Sequence, residues 1–195
     1  MTNNTTIKTE KVGSYWGWRA EDPDFDTAIM AMARRVWPDG YDVCDEAPST
    51  FDELIADLDA GARLRVWSGG SSFTIYGSAE VNHAFRAWHD YHHWQGQHPF
   101  NLSGEAAVVE AMFRDLKLFY GNHPRLNAWR GFLYAEIIGQ RLYFSLNKNV
   151  FPNNQRRFVK GFLEALSGDE PLPCFVIEPP APKAASRYLA EEGAS

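Results

Sequence analysis

Four of the six histidines of this chain lie within ten residues, in the stretch "HDYHHWQGQH". An imidazole can bind a metal ion, transfer a proton or hydrogen-bond a carboxylate, so this density marks a candidate site. In a helix, His89 and His93 project from the same face one turn apart, where two imidazoles can bind one cation. His92, three residues after His89, could substitute as a ligand. A hydrogen-bonded or solvated histidine cluster is the alternative, and both interpretations remain open.

An aspartate within the histidine cluster adds a carboxylate to it. Asp90 lies three residues before His93, and helical bundles use this carboxylate–x–x–histidine spacing to bind iron or manganese. Asp90 could ligate a metal itself, or it could orient one of the imidazoles through a hydrogen bond. We therefore include Asp90 among the candidate catalytic residues.

Glu105 lies at the start of the next amphipathic segment, on its apolar face. It continues backwards, at helical spacing, an apolar stripe formed by Val108, Val109, Met112, Phe113, Leu116 and Phe119. A glutamate in this place can ligate a metal, or it can interact favourably with the positive end of the helix dipole. Glu110 falls off this face, and we expect it to be solvated.

Glu136 and Gln140 interrupt the aromatic face of the segment 125–147. A buried carboxylate without a partner is unfavourable, so Glu136 requires a cation, a proton or a hydrogen-bond network. A bound metal ion would meet this requirement. A salt bridge to Arg86 or Arg130 would meet it as well.

Together these segments predict a metal site whose ligands are His89, His93, Glu105 and Glu136. Two imidazoles with one or two carboxylates suit a divalent iron, manganese or zinc ion. Helical bundles form such sites between facing helices, from side chains that project inward. A structural hydrogen-bond network of the same residues is the alternative.

A metal in this place would activate water for hydrolysis. Glu136 could then act as a general base instead of a ligand, and with Asp90 it forms the predicted catalytic pair. Arg86 is the candidate for binding an anionic group of the substrate. Gln140, on the same face as Glu136, is the second candidate for substrate binding.

The elements that position these residues are predicted to be mainly helical. Apolar periodicity and capping residues predict helices near 22–37, 49–62, 79–95, 105–120, 125–147 and 154–166. The segments "RLRVW" and "SFTIYG", separated by "SGGS", predict a short β-hairpin near 63–76. The expected fold is a mainly α, bundle-like single domain over 23–168.

The two ends of the chain differ in composition from the domain. Residues 1–22 are polar and predict an N-terminal arm, and the Pro- and Ala-rich residues 169–195 predict an extended tail. Two cysteines, Cys44 and Cys174, do not make a disulfide scaffold. No segment is typical of a signal peptide or a membrane span, which predicts a cytoplasmic protein. The net charge of −6 disfavours nucleic acid as a partner.

Several motifs resemble those of a group of small phage and prophage proteins. They are "HDYHH", the glutamate of "SGEAAVVEAM", "AEIIGQRLYF" and "FPNNQRRFV", and the resemblance covers about residues 63–160. The positions that carry it are His89, Asp90, His93, Glu105, Glu136, Gln140, Phe151, Pro152 and Gln155. The resemblance implies a phage origin, hence a host-cytoplasmic location, and a polar site at these positions. It names no reaction.

Two functions of different class follow. The first is a metal-dependent hydrolase acting on nucleotides or other phosphate esters. The second is a non-catalytic acidic phage protein that binds a host or virion protein, with the histidines and glutamates forming a structural network. The 7 Trp, 8 Tyr and 13 Phe would favour the second function if many were exposed, because aromatic residues anchor interfaces. Either function is compatible with an oligomer.

Overall fold

The computed structural model describes residues 21–168. The predicted arm lies almost wholly outside the described residues, and the predicted tail lies entirely outside them. The helices are Pro23–Val36 (α1), Phe51–Asp59 (α2), Ala79–Gly96 (α3), Leu102–Tyr120 (α4), Leu126–Tyr134 (α5), Gln140–Leu146 (α6) and Gln155–Leu166 (α7). The mainly helical fold is therefore confirmed.

Side-chain caps fix several of the helix starts close to where the sequence predicts them. Thr50 and Glu53 form a reciprocal capping box at α2. The Ser78 side chain accepts a hydrogen bond from the third residue of α3, and Asn101 does the same for α4. As a result α4 begins three residues before the predicted 105, with Glu105 inside its first turns.

The predicted β-hairpin near 63–76 is wrong. Its first strand exists as Arg65–Trp67 (β2), but β2 pairs in parallel with Asp42–Cys44 (β1), and Val66 lies opposite Val43. Helix α2 lies in the connection between the two strands, in agreement with the rule that parallel strands require a crossover.

The second half of the predicted hairpin hydrogen-bonds to other parts of the chain instead. The carbonyl of Phe73 accepts a hydrogen bond of 2.9 Å from the backbone of Arg156, and the carbonyl of Ile75 accepts one of 3.2 Å from Glu21. Ile75 and Tyr76 are buried in the core. These long-range contacts replace the local strand pairing that the alternating sequence suggested.

The main core lies among α1, α3, α4 and the helices that follow. Trp88 on α3 and Trp129 on α5 are completely buried at its centre, where Phe25 and Phe132 also lie. Helix α3 packs against both α1 and α4. Because only five residues separate α3 from α4, α4 folds back along α3, so the end of α3 faces the start of α4.

The predicted helix over 125–147 is continuous, but it contains a π-helical turn, Ala135–Gly139, between α5 and α6. A π-helical turn inserts an extra residue and shifts the faces on either side of it. Gly139 lies tightly against α7 here, because an added Cβ would be 3.0 Å from the ring of Phe162. This turn carries Glu136 and ends beside Gln140.

Two further expectations concern cysteines and membranes. Cys44 is a free thiol, and Cys174 lies outside the described residues. Within residues 21–168, no helix is both long and apolar enough to cross a membrane.

Candidate metal centre

Two helices bring three of the predicted ligands together. His89 and His93 project from the last turns of α3, and Glu105 projects from the first turns of α4. One ligand atom from each residue lies within 4.8 Å of the others, so this triad could hold a metal ion. His93 is fully buried, whereas His89 and Glu105 keep small exposed fractions.

The distances within the triad fit the coordination of a single cation. His89 Nε2 lies 2.9 Å from Glu105 Oε2 and 3.1 Å from His93 Nε2. The distance between His93 Nε2 and Glu105 Oε2 is 3.2 Å. Metal–ligand bonds of about 2.1 Å place neighbouring ligand atoms roughly 3.0 Å apart in an octahedron and roughly 3.4 Å apart in a tetrahedron. The three atoms therefore match one face of either arrangement.

The ring of His93 is oriented by the backbone that links the two helices. Its Nδ1 donates a hydrogen bond of 2.7 Å to the carbonyl oxygen of His98. Because a carbonyl can only accept, the hydrogen of neutral His93 must be on Nδ1, and the lone pair of Nε2 points into the triad. A backbone carbonyl behind a histidine is a common arrangement in metal sites.

Asp90 orients the second imidazole. Its Oδ1 lies 3.1 Å from Nδ1 of His89, so the carboxylate accepts the Nδ1 hydrogen and turns Nε2 towards Glu105. This is the carboxylate–histidine–metal arrangement in which the outer carboxylate fixes the imidazole tautomer. Of the two roles predicted for Asp90, the structure favours the orienting one, since Asp90 is not a member of the triad.

The triad has more acceptor atoms than protons. Burial disfavours the charged form of His89, but Glu105 and Asp90 outweigh it and raise the pKa of His89 to about 10. Burial also disfavours the charged form of Glu105, which by itself would raise its pKa, but His89 and His93 hold this pKa at about 2. One Nε2 hydrogen on His89 is then shared between two acceptors, His93 Nε2 and Glu105 Oε2. A cation would satisfy all three atoms at once.

Gly104 allows the close packing of the loop between α3 and α4, which we call the 97–101 turn. A Cβ at Gly104 would be 1.9 Å from the carbonyl oxygen of Pro99, so no other residue fits there without displacing the turn. Gln97 has a left-handed backbone (φ 50°) that ends α3. The backbone of His98 then donates to the carbonyl of His93 at 2.9 Å, which closes the turn over the triad.

Arg86 lies one helical turn before the triad on α3. Its Nη1 donates to the carbonyls of Trp67 at 2.6 Å and Gly69 at 2.7 Å, and its guanidinium lies 5.3 Å from the Trp67 ring centre. Burial lowers the pKa of this guanidinium. Among the described residues Arg86 forms no salt bridge, unlike Arg65 or Arg156. Arg86 is thus a cation fixed by backbone carbonyls, with no carboxylate of the described residues in salt-bridge contact, although the charges of Asp90 and Glu136 act on it.

Glu136 is not a member of the triad. Its Oε2 accepts a long hydrogen bond of 3.4 Å from Tyr76, and its buried Oε1 has no hydrogen-bond partner in the described part of the chain. Burial raises the pKa of Glu136 to about 8, although Tyr76, Gln140 and Arg86 oppose this shift. The predicted salt bridge to Arg86 or Arg130 is absent from residues 21–168, since Arg130 pairs with Glu110.

An open cleft connects these groups. It has a volume of about 1790 Å³, and its walls include residues of α3, α4, the π-helical turn, α6 and α7. The residues that concern the site are His89, Asp90, Glu105, Arg86, Glu136 and Gln140. All the predicted site residues except His93 therefore line one cleft, while His93 is buried behind it.

Other polar contacts near the site differ from the sequence expectation. His92 lies on another face of α3 and pairs with Asp115 at 2.9 Å, so it is not an alternative ligand. The carbonyl of His98 and the space next to Gly104 belong to the site, but the sequence patterns did not indicate them. Any residue carries a backbone carbonyl, so the residue type does not reveal its role. The dense glycine and proline of "GQHPFNLSG" are the only sequence sign of this turn.

Comparison with known proteins gives no assignment. No protein-family model matches the chain, and no curated protein or solved structure matches it. The resemblance to phage proteins therefore stays a prediction, and the function must be argued from the geometry of the site.

We expect Gly104→Ala to disturb the triad without changing any ligand. The added methyl group must push the carbonyl of Pro99 aside, and overpacking of this kind costs about 1–3 kcal/mol. The carbonyl of His98 moves with the turn, so His93 loses its orienting partner. Urea unfolding should show the loss of stability. Gly168→Ala is the matched control, because among residues 21–168 its Cβ would meet only the carbonyl of Glu164, at 3.7 Å. Equal stability of both variants would contradict the role of the turn.

The raised pKa of Glu136 makes a pH-dependent contribution to stability. The folded state holds this proton up to about pH 8, whereas the unfolded state releases it near pH 4.5. The unfolded state thus binds fewer protons between these values, and stability falls as the pH rises through this window. Glu136→Gln cannot lose a proton. We therefore expect the difference in unfolding free energy, variant minus wild type, to grow from pH 5 to pH 8 in urea titrations with chelator. A difference that is constant with pH would contradict this.

Proposed function

We propose that His89, His93 and Glu105 bind one divalent metal ion, which is iron, manganese or zinc. The observation that carries this proposal is the convergence of three potential ligand atoms, which lie 2.9–3.2 Å from one another. Two imidazole nitrogens and one carboxylate oxygen are the donor set that proteins use for these metals. Three protein ligands leave further coordination positions, which is typical of catalytic sites.

The open positions of such a metal would face the cleft. His89 and Glu105 line the cleft, while His93 closes the site from behind. A metal with access to the cleft would activate a water molecule for attack on a bound ester. The chain's own contribution is to hold the two imidazoles in the correct tautomer through Asp90 and the His98 carbonyl, and to bind the substrate.

Arg86 supports an anionic substrate. It is a cation held by two backbone carbonyls on the cleft wall, and it forms no salt bridge within residues 21–168, although the charge of Asp90 acts on it. Residues three positions apart on a helix are neighbours, so Arg86 lies directly beside His89. An anion bound there would be next to the metal. We therefore propose hydrolysis of phosphate esters, nucleotides among them. The phage resemblance supports a role of this kind in the host cytoplasm.

Metal content tests the site. We expect protein purified without chelator or affinity tag, and reloaded in turn with Fe(II), Mn(II) and Zn(II), to bind close to one ion per chain. Elemental mass spectrometry after desalting measures this. His89→Ala and Glu105→Gln should each lose the ion, because each removes one of three ligands. Asp90→Asn should weaken binding by about tenfold to a hundredfold, the usual effect of a partner behind a ligand.

Matched controls come from the neighbouring histidine–carboxylate pair. His92→Gln and Asp115→Asn change the same residue types on the same two helices, and these residues pair at 2.9 Å outside the triad. Both controls should keep the full metal content. Metal-free wild type after reloading, or equal loss in the controls, would favour the structural network instead.

Hydrolysis tests the role of Arg86. With p-nitrophenyl phosphate and nucleoside triphosphates, metal-loaded wild type should release product. Arg86→Lys should retain the metal but raise KM by roughly tenfold or more, because a charge-assisted contact to the anion is weakened. Arg65→Lys is the control, since Arg65 also lines the cleft but is paired with Asp57. Unchanged kinetics in Arg86→Lys would overturn the anion site, and inactivity of loaded wild type towards all these esters would overturn the substrate class.

A further inference from the structure

The Glu136–Gln140 pair lines the cleft, and the contacts among the described residues leave one oxygen of Glu136 without a partner. Both side chains are more than nine-tenths buried, at 8% and 6% exposure. Oε1 of Glu136 has no hydrogen-bond partner among the described residues, and Oε2 accepts a long hydrogen bond from Tyr76. Gln140 and Arg86 lie near enough to the carboxyl group to lower its pKa, but they do not outweigh its burial. A buried polar atom without a partner is costly, so this arrangement indicates a group that is satisfied by something else.

The π-helical turn places this pair in the wall of the cleft. Ala135–Gly139 widens the helix at the point where Glu136 leaves it, and Gln140 follows as the first residue of α6. Such turns occur often at functional sites, because they change the direction of side chains without ending a helix. Here the turn places a carboxyl and a carboxamide side by side in the wall of the cleft.

These two groups share one pattern of hydrogen bonding. A carboxamide offers a donor next to an acceptor, and a protonated carboxyl group does the same. Oε1 of Glu136 is buried behind the cleft surface and has no partner among the described residues, so a ligand would reach it after a small movement of this side chain. The complementary partner is a planar group with an adjacent donor and acceptor, which is the hydrogen-bonding edge of a nucleobase.

Aromatic surfaces surround the pair. Phe85, Phe144 and Phe158 line the same cleft, and so do Phe73 and Phe151, which are 61% and 52% exposed. Exposed aromatic rings on a cleft wall are surfaces on which a nucleobase can stack, at about 1–3 kcal/mol per base. The cleft volume of about 1790 Å³ leaves room for a whole nucleotide.

We propose that Glu136 and Gln140 bind the base of a nucleotide through its hydrogen-bonding edge, with the phosphate end directed towards Arg86 and the triad. This proposal rests on the proposed function for the phosphate end. The base site itself needs neither the metal nor a phosphate, because Glu136 and Gln140 are not ligands of the triad. The two proposals can therefore fail separately.

The test uses uncharged deoxynucleosides in the presence of EDTA, so that neither a phosphate nor a metal contributes. The four common deoxynucleosides are titrated into the ¹⁵N-labelled full chain and followed by NMR. We expect at least one of them to bind saturably and to shift the side-chain amide signal of Gln140. Glu136→Met and Gln140→Met should each weaken this binding by about tenfold, the effect of one lost hydrogen bond.

Stability distinguishes a ligand site from a structural network. If the role of Glu136 is to bind a ligand, Glu136→Met removes an unsatisfied carboxyl group. It should then raise the midpoint of urea unfolding at pH 8 and weaken deoxynucleoside binding. If Glu136 instead stabilises the folded state through its hydrogen bonds, the same substitution should lower the midpoint of urea unfolding, and that result would overturn the proposal. Gln95→Met, at an exposed position on α3 outside the cleft, is the control and should change neither quantity.

The triad variant separates this inference from the proposed function. His89→Ala/His93→Ala should lose metal but bind the deoxynucleoside as wild type does. If no deoxynucleoside binds to wild type up to its solubility limit, or if the methionine variants bind as tightly as wild type, the base site is wrong. Neither of those results would change the metal content of the wild-type protein, on which the proposed function depends.

Discussion

The 97–101 turn is the constraint on which the site depends. Two of the three candidate ligands come from the end of α3 and the third from the start of α4, so their distances are set by how sharply the chain reverses between the two helices. The turn closes through a pair of contacts between His93 and His98, one from backbone to backbone and one from side chain to backbone. Gly104 permits the tight approach. The backbone that joins α3 to α4 therefore also orients the candidate ligand His93. A change in how the two helices pack would change the orientation of this imidazole.

The two histidine–carboxylate clusters on α3 show what separates a site from a structural contact. At His92 and Asp115, one imidazole meets one carboxylate, and Trp88 donates a second hydrogen bond to the same acid. Both contacts in that cluster pair a donor with an acceptor. In the triad, by contrast, Nε2 of His93 faces Oε2 of Glu105, and at Glu136 one oxygen has no partner within residues 21–168. Proteins tolerate such unfavourable polar arrangements mainly where function requires them, because elsewhere a better-satisfied alternative is readily available.

Sequence patterns predicted the helices, the inward faces and the triad, because these follow from helical spacing. His89, His93 and Glu105 were found by counting residues along two helix faces. Patterns of residue type could not predict whether the Glu136 side chain would reach the triad. Its direction depends on a π-helical turn, which leaves no periodic signal in the sequence. The prediction of a β-hairpin was wrong for a related reason. Alternation shows that a segment is extended, but the partner of an extended segment is chosen by distant parts of the chain, here β1 for β2 and α7 for Phe73.

The distribution of aromatic residues bears on the choice between an enzyme and a binding protein. An interface protein would expose many of them, since these residues anchor interfaces. In this fold Trp88, Trp129 and Phe132 are at most 1% exposed and form the core. Two of the strongly exposed phenylalanines, Phe73 and Phe151, lie on the cleft instead of on a separate surface. Within residues 21–168, these two exposed rings thus line the same cleft as His89, Glu105, Arg86 and Glu136. One cleft that gathers an apolar surface, a cation and a metal-type donor set is better suited to a small anionic ligand with an aromatic ring than to a protein surface.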